Sequence, residues 1–297
     1  SHLDNYMRLS DHFKNVVKQS QLDENKELIA DVRNRIEQYN SIFIDGTDEN
    51  TLQIHADGSI SYFGEIEFTK NSYVDNSRRL PFTFKKVNRL VLMDGYSDKL
   101  DSLEGLPSEC HTLVIELSSH KPPEYFEGHF PKKAKVIDLS VHSLQNCKFG
   151  IEHIGEKIEF SISDGEDIKS LEGLPHEVPR LIFNGPPHVV RSFKGFPTFV
   201  RLLAFYGSNG KFDVKDLATY AKELHVILST QMDLENNTPI LSLFKLKGLS
   251  LLRNDNMLVG DCKEVFKIVN KYLDDMDVFG CQEELIDSGF EQFARAK

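Results

Sequence analysis

The segment LDSLEGLPSECHTLVIE, residues 100–116, decides the fold; it returns as IKSLEGLPHEVPRLIFN at 168–184 and as VRSFKGFPTFVRLLAFY at 190–206. Each copy has two halves. In the first, apolar side chains recur every third residue: Leu100, Leu103 and Leu106, then Ile168, Leu171 and Leu174, then Val190, Phe193 and Phe196. That spacing predicts a 3₁₀ turn or a short irregular helix, whose side chains return to one face about every three positions. Gly105, Gly173 and Gly195 allow tight backbone approach, and Pro107, Pro175 and Pro197 discourage a helix from continuing. In the second half, Cys110/Leu113/Ile115, Val178/Leu181/Phe183 and Val200/Leu203/Phe205 read as a short strand buried on one face.

The apolar-x-apolar pair that closes this strand sets a rhythm along most of the chain. It runs through Ile42/Ile44, Ile66/Phe68, Leu90/Leu92, Leu113/Ile115 and Ile137/Leu139. It continues through Ile158/Phe160, Leu181/Phe183, Leu203/Phe205, Val226/Leu228 and Leu249/Leu251. Successive pairs stand 21 to 24 residues apart. Such a period predicts a solenoid in which each repeat leans on its neighbours.

These repeats resemble those of leucine-rich repeat proteins, and SLEGLP in particular resembles the irregular repeats of some bacterial and phage-type members. The resemblance covers about residues 80–252. It implies an α/β leucine-rich repeat solenoid with one parallel strand per repeat, in an intracellular regulator, an injected effector or a phage protein. At the family's Asn position the chain carries Gly95, Ser118, His142, Ser163, Pro186 and Ser208, so a continuous asparagine ladder is not expected.

Four regions are expected. Residues 1–40 form a helical N-terminal cap, since ELIADVRNRIEQY is rich in helix formers and brings Leu28, Ile29, Val32, Ile36 and Tyr39 near one face. Residues 41–79 are strand-rich, irregular leading repeats, with a hairpin turning at Asp57-Gly58. The array itself occupies 80–254. Residues 255–297 form a helical C-terminal cap, with Asp261 and Glu264 as a capping pair.

A formal net charge of -11 works against general nucleic-acid binding, which needs clustered cations; the local basic group is Arg78, Arg79, Lys85, Lys86 and Arg89. Cys110, Cys147, Cys262 and Cys281 are too sparse for a disulfide framework and include no CxxC pair, which suits free thiols in a reducing, cytoplasmic-type compartment. No stretch is apolar enough to span a bilayer, and the start lacks a signal-peptide core. Delivery into a host cell remains compatible with these features.

Phosphate-loop, GxSxG, HExxH and EF-hand motifs are absent. Asp164, Glu166 and Asp167 in SDGEDI are close enough to suggest a hard cation, but such loops are more often simply hydrated. His142, His153 and His188 form no periodic set with them. Neither catalysis, a cofactor nor a metal is expected.

The strand surface offers the better site. The middle residue of each pair points away from the core: Phe43, Glu67, Val91, Val114, Asp138, Glu159, Ile182, Ala204, Ile227 and Ser250. One residue beyond the second anchor lie Met93, Glu116, Ser140, Ser161, Asn184, Tyr206 and Ser229. The partner-binding candidates are therefore Glu67, Val91, Met93, Val114, Glu116, Asp138, Glu159, Ile182, Asn184 and Tyr206. Met93, Ile182 and Tyr206 serve as anchors, while Glu67, Glu116, Asp138 and Glu159 attract a protein partner with a basic surface. The architectural rival is a parallel β-helix with three strands per turn, on which Glu67, Asp138 and Glu159 become acid/base candidates of a carbohydrate-active enzyme. A structural role in a larger assembly is the third reading.

Overall fold

The computed structural model describes residues 6–39, 41–45, 51–145, 148–164, 168–186, 189–206, 214–229, 250–251 and 257–259. The chain divides into two compact units, Ser1–Gly155 and Glu156–Lys297. In its described residues, each is a parallel-rich β-solenoid with few helices.

The first unit opens with β1 (Tyr6–Arg8), then α1 (Leu9–Val16), α2 (Gln19–Glu24) and α3 (Lys26–Gln38). The expected helical run is interrupted twice: Val17 and Lys18 are extended, and Asn25 leaves helical geometry at φ -130° while flanking both α2 and α3. Ile29, Val32, Ile36 and Tyr39 are buried along one face, beside Leu9, Phe13 and Val16 of α1. Arg33 adds a cation–π contact at 5.3 Å from the Phe13 ring.

Strands β2 (Ile42–Asp45), β3 (Leu52–Ile54) and β4 (Ile60–Phe68) follow. The hairpin is present: β3 pairs antiparallel with β4, and Gly58 at the turn has φ +84°. Ile42/Ile44 do not begin the parallel array, however. Strand β2 runs antiparallel to β4, with Ile42 opposite Phe68 and Ile44 opposite Ile66. The array begins at β4 and continues through β5 (Phe84–Leu92), β6 (Glu109–Glu116) and β7 (Lys133–Val141). Leu90, Leu113 and Ile137 fall in one column, and Leu92, Ile115 and Leu139 in the next; all six are fully buried. Burying one such side chain contributes about 1.5–3 kcal/mol.

Among the described residues, the connections between the parallel strands form turns and short helices, with one isolated parallel bridge between Ile168 and Val190. The SLEGLP turn closes with Leu106 N–H donating to the Leu103 carbonyl at 3.2 Å, and the same closure joins Leu174 to Leu171 and Phe196 to Phe193. Each leading serine organises its own turn. Ser102, Ser170 and Ser192 accept through Oγ from the backbone N–H two residues on, at 3.0, 3.4 and 3.1 Å. Gly105 sits at φ +102°, where a Cβ would stand 2.7 Å from the Phe82 carbonyl oxygen, so the turn needs glycine for both reasons.

The second unit contains β8 (His153–Ile162, from Glu156 onward), β9 (Glu177–Asn184), β10 (Phe199–Tyr206), α4 (Val214–Tyr220) and β11 (Glu223–Ser229). These four strands are parallel, and Phe160, Phe183 and Phe205 stack with ring centroids 5.4 Å apart at each step. The rhythm slips at β11. Leu203 stands opposite Ile227, not Val226, so Val226 and Leu228 align with Leu202 and Ala204. A one-residue shift exchanges the two faces of a strand. The last pair also departs from the array: β12 (Ser250–Leu251) and β13 (Met257–Val259) pair antiparallel, and β13 is antiparallel to β11. Apart from β13, the expected cap at 255–297 lies outside the described residues.

Candidate functional site

Alternation along β4, β5 and β6 brings five of the expected binding residues together in the first unit. Glu67, Val91, Met93, Val114 and Glu116 line one cleft of about 380 Å³, joined by Tyr6, Glu65 and Arg89. Val91 stands opposite Glu67 on one side and Val114 on the other, and Val114 stands opposite Asp138. Met93, Val114, Glu116 and Asp138 are half-buried, which leaves them reachable.

Sequence reasoning missed Glu65, Arg89 and Tyr6. The first two sit one position before the core pair, on the same face as the middle residues; extending the alternation by one residue finds them. Arg89 Nε donates to Glu65 Oε1 at 2.8 Å. Tyr6 arrives from β1, which the repeat pattern does not announce. Burial, a hydrogen bond to Glu65 and the nearby Glu65 and Glu67 carboxylates raise its phenol above the ordinary range.

Three candidates are less open than the alternation implied. Glu67 is fully buried and Val91 nearly so, because Tyr6 and Arg89 share the cleft with them. In the second unit Ile182 is also buried, with Arg180 on its own strand and Leu202 and Ala204 on the neighbouring one. The segment LLAF at 202–205 is continuously apolar, the pattern of a strand buried on both faces. Ile182 is therefore not an exposed anchor. Glu159 stays half-buried beside Lys157, with 3.8 Å between their charged atoms, and Asn184 Nδ2 donates to Ser161 Oγ at 3.3 Å. Tyr206 ends β10 opposite Asn184; its side chain lies outside the described part of the structure.

Searches of protein-family models, curated proteins and solved structures find no match. The geometry alone supports a reading of function.

One aspartate ties together the ends of β5 and β6. Asp98 accepts from the backbone N–H groups of Gly95, Ser118 and Ser119 at 2.9–3.0 Å and from both serine hydroxyls at 2.5 and 2.6 Å. His142 Nε2 then donates to the Ser118 carbonyl at 2.7 Å. Burial by itself would raise the Asp98 pKa, but these donors outweigh it and hold the carboxyl well below the usual range. Lys121 Nζ donates to the carbonyls of Asp98 and Leu100, each at 2.7 Å, and lies 5.0 Å from the Tyr125 ring centroid. This network fixes the strand ends that carry Met93 and Glu116.

Of the acidic loop at 164–167, Glu166 and Asp167 lie outside the described residues, as does His188. Cys110 is a free, buried thiol whose pKa is pushed up to about 12, first by burial and then by Glu109; that disfavours a nucleophilic thiolate. Cys147, Cys262 and Cys281 lie outside the described residues. Among the described residues, no helix is long and apolar enough to cross a membrane.

Proposed function

We propose that this chain is a non-catalytic protein-interaction solenoid of the leucine-rich repeat type, with α1–α3 as its N-terminal cap. Its strand-lined face binds an extended protein segment that presents basic and apolar side chains. The observation that carries this reading is the cleft formed by Val91, Val114 and Met93 with the half-buried Glu116, next to half-buried Asp138 on the neighbouring strand. Apolar ground supplies contact area, while the Glu116 and Asp138 carboxylates select and steer a cationic partner. The strands hold these side chains in register before association, which reduces the ordering cost of binding. One strand per turn in β4–β7, with a SLEGLP turn between β5 and β6, favours the leucine-rich repeat reading over a three-stranded β-helix.

A random-peptide display selection on the folded full chain tests the proposal. The enriched peptides should combine Lys or Arg with apolar residues. Their affinity should fall at least about tenfold in Glu116→Lys/Asp138→Lys, both positions being half-buried, with circular dichroism showing that the double variant is folded. Enrichment of acidic peptides, or unchanged affinity in the folded double variant, would contradict it.

A further inference from the structure

A second groove of opposite charge crosses the beginnings of β5, β6 and β7 in the first unit. Its volume is about 370 Å³. The floor is formed by Val87, Cys110 and Ala134, one from each strand, and side-chain size decreases from the first to the last. Phe63, on β4, stands at one end and is 44% exposed, an unusual placement for an aromatic ring in this chain. Lys86, Lys133 and Lys135 line the groove against one carboxylate, Glu109. On a chain of formal charge -11, this is a local reversal of sign.

The two cationic positions on β7 are held differently. Lys133 is exposed, whereas the stem of Lys135 runs over the backbone of Gly155, where an added Cβ would stand 3.0 Å from Lys135 Cγ. Among the described residues Glu109 pairs with Lys86, at 3.5 Å, and both partners are about half exposed. Exposed pairs of this kind are weak, so an incoming carboxylate can displace Glu109 at little cost.

We propose that this groove binds an acidic peptide segment: an apolar side chain packs against Phe63, and carboxylates meet Lys86, Lys133 and Lys135. From β4 to β7 the sheet spans three strand intervals, about 14 Å, a distance covered by about four extended residues. Lys133 and Lys135 lie two residues apart along β7, about 6.6 Å and at right angles to the crossing direction, so the peptide turns to follow β7 at its acidic end and meets them with carboxylates at alternate positions. The pattern that fits is therefore an apolar residue followed, four positions on, by Glu-x-Glu. A nucleic acid fits less well. Three lysines release few counterions, and the overall negative charge opposes a long polyanion.

Fluorescence anisotropy on the full chain tests this with rhodamine-labelled peptides of the form Phe-x-x-x-Glu-x-Glu, where x is Gly, Ser or Thr. Their Gln-x-Gln counterparts and a single-stranded oligonucleotide serve as competing probes. The acidic set should saturate the protein below about 1 mM and the Gln set should bind at least about tenfold more weakly. Lys133→Glu/Lys135→Glu should abolish binding, and Phe63→Ser should weaken it several-fold, with circular dichroism and melting temperature unchanged in both. Failure to saturate, equal affinity for the Gln peptides, or wild-type binding by the lysine variant would overturn the proposal. An oligonucleotide that competes at equal or higher affinity would overturn its assignment to a peptide.

Discussion

Asp98 shows how one side chain can tie two turns together. Five donors from Gly95, Ser118 and Ser119 converge on its carboxylate. Its folded pKa lies below the unfolded value of about 3.9. The stability it contributes is therefore complete above that unfolded value and is lost as pH falls through the folded one. Asp98→Asn should cost about 2–3 kcal/mol at pH 7, from charge-assisted bonds that an amide cannot reproduce. Urea denaturation from neutral to strongly acidic pH checks both size and sign: the gap between wild type and variant should close on acidification. A gap that stays constant with pH would show that the charge contributes nothing.

At the scale of strands and turns, the aromatic stack of the second unit tests the core assignment. Phe183 is buried between Phe160 and Phe205, and no small side chain can fill the space between those rings. Phe183→Ala should destabilise the chain by about 3–5 kcal/mol in chemical denaturation, whereas Phe183→Leu should retain most of the stability. A loss below about 1 kcal/mol for the alanine variant would mean that the stack is not part of the core. This stack was legible in the sequence because Phe160, Phe183 and Phe205 close successive pairs at the repeat spacing. The slip at β11 was not, since HVIL at 225–228 offers three consecutive apolar residues and two registers satisfy the same pattern. Nor could spacing reveal strand direction: Ile42/Ile44 keeps the period, yet its strand is antiparallel. The serines of SLEGLP were visible as letters, but their part in the turns required the backbone N–H groups to be located.

Across the whole molecule, sequence periodicity located the candidate face more successfully than it assigned exposure. It placed Val91, Met93, Val114 and Glu116 on one surface, where the structure gathers them with Glu67 into a single cleft. It did not foresee Tyr6 reaching that cleft from outside the repeats, nor the burial of Ile182 in a strand apolar on both faces. Leu113 and Ile115 of β6 are fully buried in the core, and the proposed function gives Val114 between them the opposite task of contacting a partner. The most direct test is the affinity of folded Val114→Arg for the cationic peptides selected on the wild-type chain, measured by calorimetric titration. The account predicts at least about a tenfold loss of affinity with stability within about 0.5 kcal/mol of wild type. Wild-type affinity in that variant would contradict the assignment of the strand-lined face as the binding surface.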